Sequence, residues 1–88
     1  MIEREVTIVN TLGIHARPAT LVAQVAQRFQ SDITVEKDGL EVNAKSVMGV
    51  MMLVAAKGSK ITIRASGPDE AEAVEALVRL VEDGFGEE

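Results

Sequence analysis

His15 is the one histidine of the chain, and its position suggests a chemical role. It lies in residues 13–19 (GIHARPA), between a turn that ends the first strand and the start of a predicted helix. A helix N-terminus presents unpaired N–H groups and the positive end of the helix dipole, which favours a neutral imidazole. A neutral imidazole nitrogen is a nucleophile, so His15 is a candidate phosphoryl acceptor.

Two neighbours of His15 could stabilise such a phosphoryl group. The backbone N–H groups of Ala16 and Arg17 would meet its oxygens, and the Arg17 guanidinium could add a charge-assisted contact. The alternative is a surface or helix-capping histidine without chemistry. Position alone favours that alternative, because a histidine beside an arginine at a helix start is common.

Residues 45–53 form a second candidate site. Ser46 is expected to cap a short helix, and its functional interpretation is a regulatory phosphorylation site, since a helix N-terminus tolerates phosphate. The apolar run that follows, residues 47–53 (VMGVMML), has few polar positions for an amphipathic helix. This run is either core or a methionine-rich surface suited to several different partners.

Composition excludes several classes of function. The chain has 88 residues, so one domain (1–88) without a deep enclosed pocket is expected. Its net charge of −5 argues against a basic face for nucleic acid. Its two aromatic residues, Phe29 and Phe85, are too few for a base-stacking surface, as in RRM-like domains. With no cysteine and one histidine, neither a metal centre nor a disulfide is expected. A charged N-terminus and no long apolar run predict a cytoplasmic protein without membrane insertion.

The periodicity of apolar residues predicts the order β-α-β-β-α-β-α, a sheet covered on one face by helices. Gly67-Pro68-Asp69-Glu70 is expected to open the last helix, with Ala71 and Val74 on its apolar stripe. Gly84 is expected to stop that helix and residues 86–88 to form a frayed tail. The predicted strands and helical segments cover residues 2–9, 16–29, 33–36, 40–43, 47–53, 60–65 and the segment that follows Gly67.

The whole chain resembles HPr, the histidine-containing phosphocarrier family of the bacterial phosphoenolpyruvate:sugar phosphotransferase system. The resemblance rests on residues 13–19 (GIHARPA), on residues 45–51 (KSVMGVM) and on the order of elements. It implies an α+β open-faced β-sandwich, in which three helices cover one face of a four-stranded antiparallel sheet. Finding both motifs in a chain of the family's usual length reverses the preference for a histidine without chemistry.

The resemblance also implies roles and partners. His15 would take a phosphoryl group on Nδ1 from enzyme I and pass it to a sugar-specific IIA domain, with Arg17 and the Ala16 N–H assisting. It implies a monomeric carrier rather than an enzyme, with no cofactor. Ser46 would be the substrate of an HPr kinase/phosphorylase, and its phosphorylated form would bind a LacI-type regulator. The expected docking residues around His15 are Thr20, Gln24, Gln27, Val47, Met48 and Met51.

The sequence departs from the family pattern in the loop and on the first helix. Leu12 stands where some members carry a small polar residue, which leaves Thr11 as the nearest hydroxyl. Gln24 and Gln27 replace lysines of the enteric type, so weaker electrostatic steering is expected, with Arg28 compensating in part. The alternative function is mainly a regulatory binding module that acts through Ser46. A carbon-control paralogue of the family lacks the active histidine, and this chain retains it.

Overall fold

The computed structural model describes residues 1–87 and contains four strands and three α-helices in the predicted order. These elements and the 3₁₀ turn that follows them are β1 (Ile2–Thr7), α1 (Ala16–Ala26), β2 (Asp32–Lys37), β3 (Leu40–Asn43), α2 (Val47–Met51), β4 (Lys60–Ser66), α3 (Glu70–Glu82) and the turn Gly84–Gly86.

The strands form one antiparallel sheet in the order β1-β4-β2-β3. The register places Val6 opposite Ile61, and Val35 opposite Ile63. Side chains alternate across a strand, so these buried residues share the face that packs against the helices. The other face carries exposed and half-buried polar side chains, so the predicted open-faced β-sandwich is confirmed.

The first strand is shorter than the sequence pattern predicts. Alternation continues to Val9, but pairing with β4 ends at Thr7. The Ile8 N–H donates to the Ser59 carbonyl, and the Gly58 N–H donates to the Ile8 carbonyl. The backbone of Ile8 is therefore bonded to the turn before β4 instead of to β4 itself. Ile8 remains buried in the core.

The helices also differ in detail from the prediction. The residue before α3 is Asp69 rather than Gly67, and Ala73 rather than Ala71 faces the core. Gly84 follows α3 with φ of +63°, as expected of a helix stop. Helix α2 ends at Met51, two residues before the end of the apolar run, and α1 ends at Ala26.

Candidate functional site

The loop before His15 is held against the segment that follows α2. The Ile14 N–H donates to the Ala55 carbonyl at 2.8 Å. Gly13 has φ of +67°, and a Cβ on Gly13 would lie 2.3 Å from the Ala55 oxygen. Glycine is therefore required at position 13 for the left-handed backbone and for the close approach of the two segments.

Asn10 closes the same loop from inside. Its side chain is fully buried, and its Nδ2 donates to the Gly13 carbonyl at 2.8 Å. The Gly13 N–H donates back to the Asn10 carbonyl at 3.2 Å. A buried side-chain amide bonded to the backbone on the same turn defines where the next residues start the helix.

His15 is the N-cap residue of α1, with extended backbone angles. Its carbonyl accepts the Ala19 N–H at 3.0 Å, but its side chain makes no capping bond. The side chain is 38% exposed. The helix-capping alternative for the imidazole is therefore wrong, and the ring stays available at the surface.

The side chain that contacts the His15 imidazole comes from the C-terminus. Glu87 Oε2 lies 2.9 Å from His15 Nε2, and Glu87 Oε1 accepts a hydrogen bond of 2.9 Å from Asn10 Nδ2. The Glu87 side chain is only 14% exposed. The 3₁₀ turn, in which Phe85 is buried with φ of +57°, directs the chain back to the loop.

The prediction of a frayed tail is therefore wrong for Gly86 and Glu87, while Glu88 lies outside the described residues. Sequence reasoning also missed Asn10 and Glu87 as neighbours of His15. No local pattern marks Glu87, because its partner is 72 residues away. An asparagine in a strand-ending turn is the one signal that pointed toward Asn10.

Ala16 and Arg17 follow His15 on the first turn of α1, and both are exposed. Their N–H groups lie at the helix start, where no carbonyl one turn back is available. Pro18, which has no N–H, occupies the next position and is buried. Within residues 1–87 the Arg17 guanidinium makes no hydrogen bond or ion pair, so it is available for an incoming anion.

The expected docking residues lie on two elements that contact each other, α1 and α2. Gln24 is exposed on α1, and Gln27 is exposed directly after it, where its Nε2 donates to the Lys45 carbonyl at 3.0 Å. Thr20 is half-buried, and its hydroxyl donates to the Ala16 carbonyl at 2.8 Å.

The apolar run is divided between core and surface: Val50 and Leu53 are buried, and its three methionines are exposed. Within α2 only Val50 is buried, Val47 is partly buried, and Met48 is 78% exposed. Val9 and Leu12, before His15, and Val54, after the run, are also exposed, which the sequence did not indicate. The exposed set that we call the apolar surface is Val9, Leu12, Met48, Met51, Met52 and Val54.

Ser46 caps α2 as predicted. Its Oγ accepts the Gly49 N–H at 3.0 Å, and the residue is half-buried. The bond between Gln27 and the Lys45 carbonyl places the neighbourhood of Ser46 beside the C-terminal end of α1. His15 lies at the opposite end of this helix, whose length is about 16 Å at 1.5 Å per residue.

The groups with shifted pKa values lie away from His15. Hydrogen bonds from Ser31 and Gln30 lower the pKa of Asp69, and a bond from the Gly67 N–H lowers that of Glu70. On the open face of the sheet, carboxylates around Arg64 raise its pKa, and Thr34 followed by Arg64 lowers that of Glu41. These pairs stabilise local structure rather than tune the candidate site.

Neither a metal-binding cluster nor a membrane-spanning helix occurs within residues 1–87. No group of three or more histidine, cysteine, aspartate or glutamate side chains could hold a metal ion. No helix in this range has the length and the apolar character needed to span a bilayer.

Comparison with known proteins identifies relatives over the whole chain. The family described as "PTS HPr component phosphorylation site" matches residues 2–83. "Phosphocarrier protein HPr" of Cupriavidus necator is 47% identical over 87 residues, which are 99% of this chain and 98% of that protein. "HPr-like protein Crh" of Halalkalibacterium halodurans is 50% identical over 82 residues, 93% of this chain and 98% of that protein. The crystal structure of HPr-C-His from Thermoanaerobacter tengcongensis superimposes with a TM-score of 0.96 at 51% identity, covering 100% of this chain and 99% of the other.

Proposed function

The chain belongs to the HPr family, the phosphocarrier proteins of the phosphotransferase system, and we propose that its phosphoryl acceptor is His15. The observation that carries the proposal is the arrangement at the start of α1. An exposed imidazole lies there beside the first two N–H groups of the helix and an Arg17 guanidinium that makes no ion pair within residues 1–87. The N–H groups and the guanidinium favour an anion at the helix N-terminus.

The proposed reaction has two steps. Nδ1 of His15 accepts the phosphoryl group from phosphorylated enzyme I and then donates it to a histidine of a sugar-specific IIA domain. Transfer between two histidines exchanges one P–N bond for another, so the overall change in free energy is small. What the protein must supply is alignment and balance of charge.

Arg17 and Ala16 would supply that balance. A phosphoryl group on Nδ1 adds oxygens that the Ala16 N–H can contact, and the Arg17 guanidinium can pair with them through charge-assisted bonds. Both groups are present without rearrangement of the helix. The partner's active site would complete the shell around phosphorus, which fits a carrier that forms no deep pocket of its own.

The proposed partners would dock on the apolar surface and the exposed side of α1. Exposed methionines adapt to different partner shapes, and a carrier must bind both its donor and its acceptor. Because the donor is the soluble enzyme I, we place the protein in the cytoplasm as a monomer.

Incubation with enzyme I and phosphoenolpyruvate tests the proposal, with the modified residue mapped by mass spectrometry. We expect an acid-labile phosphoryl group on His15, no acceptance by His15→Ala, and normal acceptance by Ser46→Ala. Acid-labile phosphorylation of His15→Ala at the wild-type rate would show that another residue is the acceptor.

A second candidate function is regulation through Ser46. It is favoured by the hydroxyl of Ser46 at the N-cap of α2, and by similarity to a protein named HPr-like protein Crh. Phosphate there would meet the N–H groups that open the helix and would add negative charge beside the apolar surface. A LacI-type regulator would then bind the modified face.

The test uses an HPr kinase with ATP, and it is read by mass. We expect acid-stable phosphate on Ser46, none on Ser46→Ala, and full modification of His15→Ala. Modification of Ser46→Ala to the wild-type extent would contradict the assignment.

A further inference from the structure

The contact between Glu87 and His15 determines which imidazole nitrogen carries the proton. A carboxylate only accepts hydrogen bonds, so a 2.9 Å contact between Glu87 Oε2 and His15 Nε2 requires a proton on Nε2. In the neutral ring the lone pair then lies on Nδ1. Within residues 1–87 no hydrogen bond engages Nδ1, so that lone pair faces no competing donor.

We propose that Glu87 is a positioning residue, which holds His15 as the Nε2–H tautomer and orients Nδ1 for attack on phosphorus. This inference rests on the proposed function, because it assigns Glu87 a part in the same phosphoryl transfer. It gives the C-terminal turn a role that neither the family's sequence motifs nor the local pattern indicates.

The structure holds the Glu87 carboxylate on both oxygens. Oε1 accepts the Asn10 Nδ2 bond and Oε2 faces the imidazole, so the carboxylate bridges the buried loop and the ring. Buried Phe85 anchors the turn two residues earlier. With 14% exposure, the Glu87 side chain is shielded from solvent, which makes its hydrogen bonds stronger than those of a surface pair.

The proposed step balances as follows. The Nδ1 lone pair forms the new N–P bond while the P–N bond to the donor histidine breaks, and its electron pair returns to the donor ring. The Nε2 proton stays on His15, whose ring gains positive charge as the bond forms. The Glu87 carboxylate beside Nε2–H stabilises that charge, as a carboxylate does for a histidine that it orients in other sites.

The first test measures the tautomer directly and requires no phosphoryl transfer. Imidazole ¹⁵N resonances are recorded at alkaline pH for wild type, Glu87→Ala and Glu87→Gln. We expect wild type to show protonated Nε2 and unprotonated Nδ1, with slow exchange of the Nε2 proton. The two ¹⁵N shifts should move toward each other in Glu87→Ala. Glu87→Gln should keep the wild-type pattern, since its amide oxygen also accepts a bond.

The second test measures phosphoryl acceptance from enzyme I. The rate should fall about 10-fold in Glu87→Ala, the size typical of losing a partner that orients a reactive ligand. Glu87→Gln should fall between wild type and Glu87→Ala, because it orients the ring without its charge. Glu72→Gln is the matched control, because it removes one negative charge at an exposed position in the first turn of α3. The start of α3 is bonded through Asp69 to the loop that follows α1. His15 lies at the opposite end of α1.

Unchanged ¹⁵N shifts in Glu87→Ala, together with a rate equal to that of Glu72→Gln, would overturn the inference. Thermal unfolding of all three variants identifies any loss of fold. If Glu87→Ala is unfolded, the rate of Glu87→Gln decides: a rate equal to that of Glu72→Gln would overturn the inference. If wild type accepts no phosphoryl group on His15, the proposed function fails, while the ¹⁵N shifts still decide whether Glu87 fixes the tautomer.

Discussion

The backbone at position 13 sets two requirements that, among the twenty amino acids, only glycine meets. Its φ of +67° is disfavoured for residues with a Cβ, and that Cβ would also collide with the Ala55 carbonyl. Gly39 has a similar φ of +88°, but its Cβ would meet nothing within 4 Å. Comparing substitutions at Gly13 and Gly39 therefore separates the cost of a left-handed backbone from the cost of a collision.

We expect Gly39→Ala to lower the free energy of unfolding by about 1–2 kcal/mol, the cost of the left-handed backbone. Gly13→Ala should lower it by about 3 kcal/mol or more, since overpacking adds about 1–3. Urea unfolding of both variants measures the difference. Equal losses of unfolding free energy in the two variants would mean that the loop before His15 and the segment after α2 move apart at no energetic cost.

Arg17 is exposed and makes no ion pair within the described part of the chain, so its charge does not contribute to holding the fold together. Arg17→Ala should leave the midpoint of thermal unfolding unchanged. It should slow phosphoryl acceptance by about 10- to 100-fold, since a charge-assisted hydrogen bond contributes about 1.5–3 kcal/mol. Arg17→Lys should recover only part of the rate, because a lysine lacks the planar fork.

Arg28→Ala is the control for this change, as Arg28 is also exposed but follows the other end of α1. At a saturating concentration of the carrier its rate of acceptance should equal that of wild type within about two-fold, because Arg28 is expected to act on docking alone and a rim charge contributes little. A similar loss in both variants would indicate a general effect of charge rather than a contact with phosphate.

At the level of elements, Asp69 ties the start of α3 to the loop after α1. Its Oδ1 accepts the Ser31 N–H at 2.9 Å and the Ser31 hydroxyl at 2.5 Å, and its Oδ2 accepts the Gln30 N–H at 2.9 Å. The hydroxyl of Ser31, followed by the Gln30 N–H, lowers the pKa of Asp69. Three bonds to one carboxylate join two elements that are distant in the sequence.

The lowered pKa of Asp69 gives the sign of a pH effect. A carboxyl whose pKa is lower in the folded state stabilises the fold above its unfolded value, and the contribution is lost as pH falls through the folded value. Asp69→Asn should therefore be less stable at pH 7 and lose less stability on acidification than wild type. Urea unfolding at pH 7 and at pH 3 measures both differences.

Asp32→Asn provides the comparison, because Asp32 is exposed at the start of β2 and makes no hydrogen bond through its side chain within residues 1–87. Its stability should follow the wild-type curve with pH. If the free energy of unfolding of Asp69→Asn varied with pH as that of wild type does, the carboxylate at position 69 would not couple folding to pH.

For the whole molecule, the apolar surface lies outside the core that folds the chain. The core is built from the inner face of the sheet and the stripes of α1 and α3, while Met48 stays 78% exposed. The residues proposed for docking therefore differ largely from those that form the core.

Met48→Gln should consequently change binding without changing stability. We expect the free energy of unfolding to stay within about 0.5 kcal/mol, as for surface substitutions. The KM for the carrier in phosphorylation by enzyme I should rise several-fold with little change in kcat. This result is expected when a substitution weakens binding of the ground state and of the transition state equally. Leu40→Gln, an exposed apolar residue on β3, should alter neither constant.

The sequence alone determined the elements and, apart from α3 and one residue of β2, where they begin, because these depend on local physics. Alternation and helical spacing placed the strands and helices, and the Ser46 cap and the Gly84 stop follow from neighbouring residues. The position of His15 at the start of α1 is likewise local, since a turn and an early proline bound it.

Tertiary structure decided what surrounds those elements. Hydrogen bonds to residues 58 and 59 end β1 early, and packing leaves Met48 outside the core, so neither outcome is encoded in a short window. Glu87 meets His15 across 72 residues only because Phe85 is buried and the C-terminal turn bends back. Periodicity records which face of an element is apolar, whereas the packing of distant elements determines which polar groups meet.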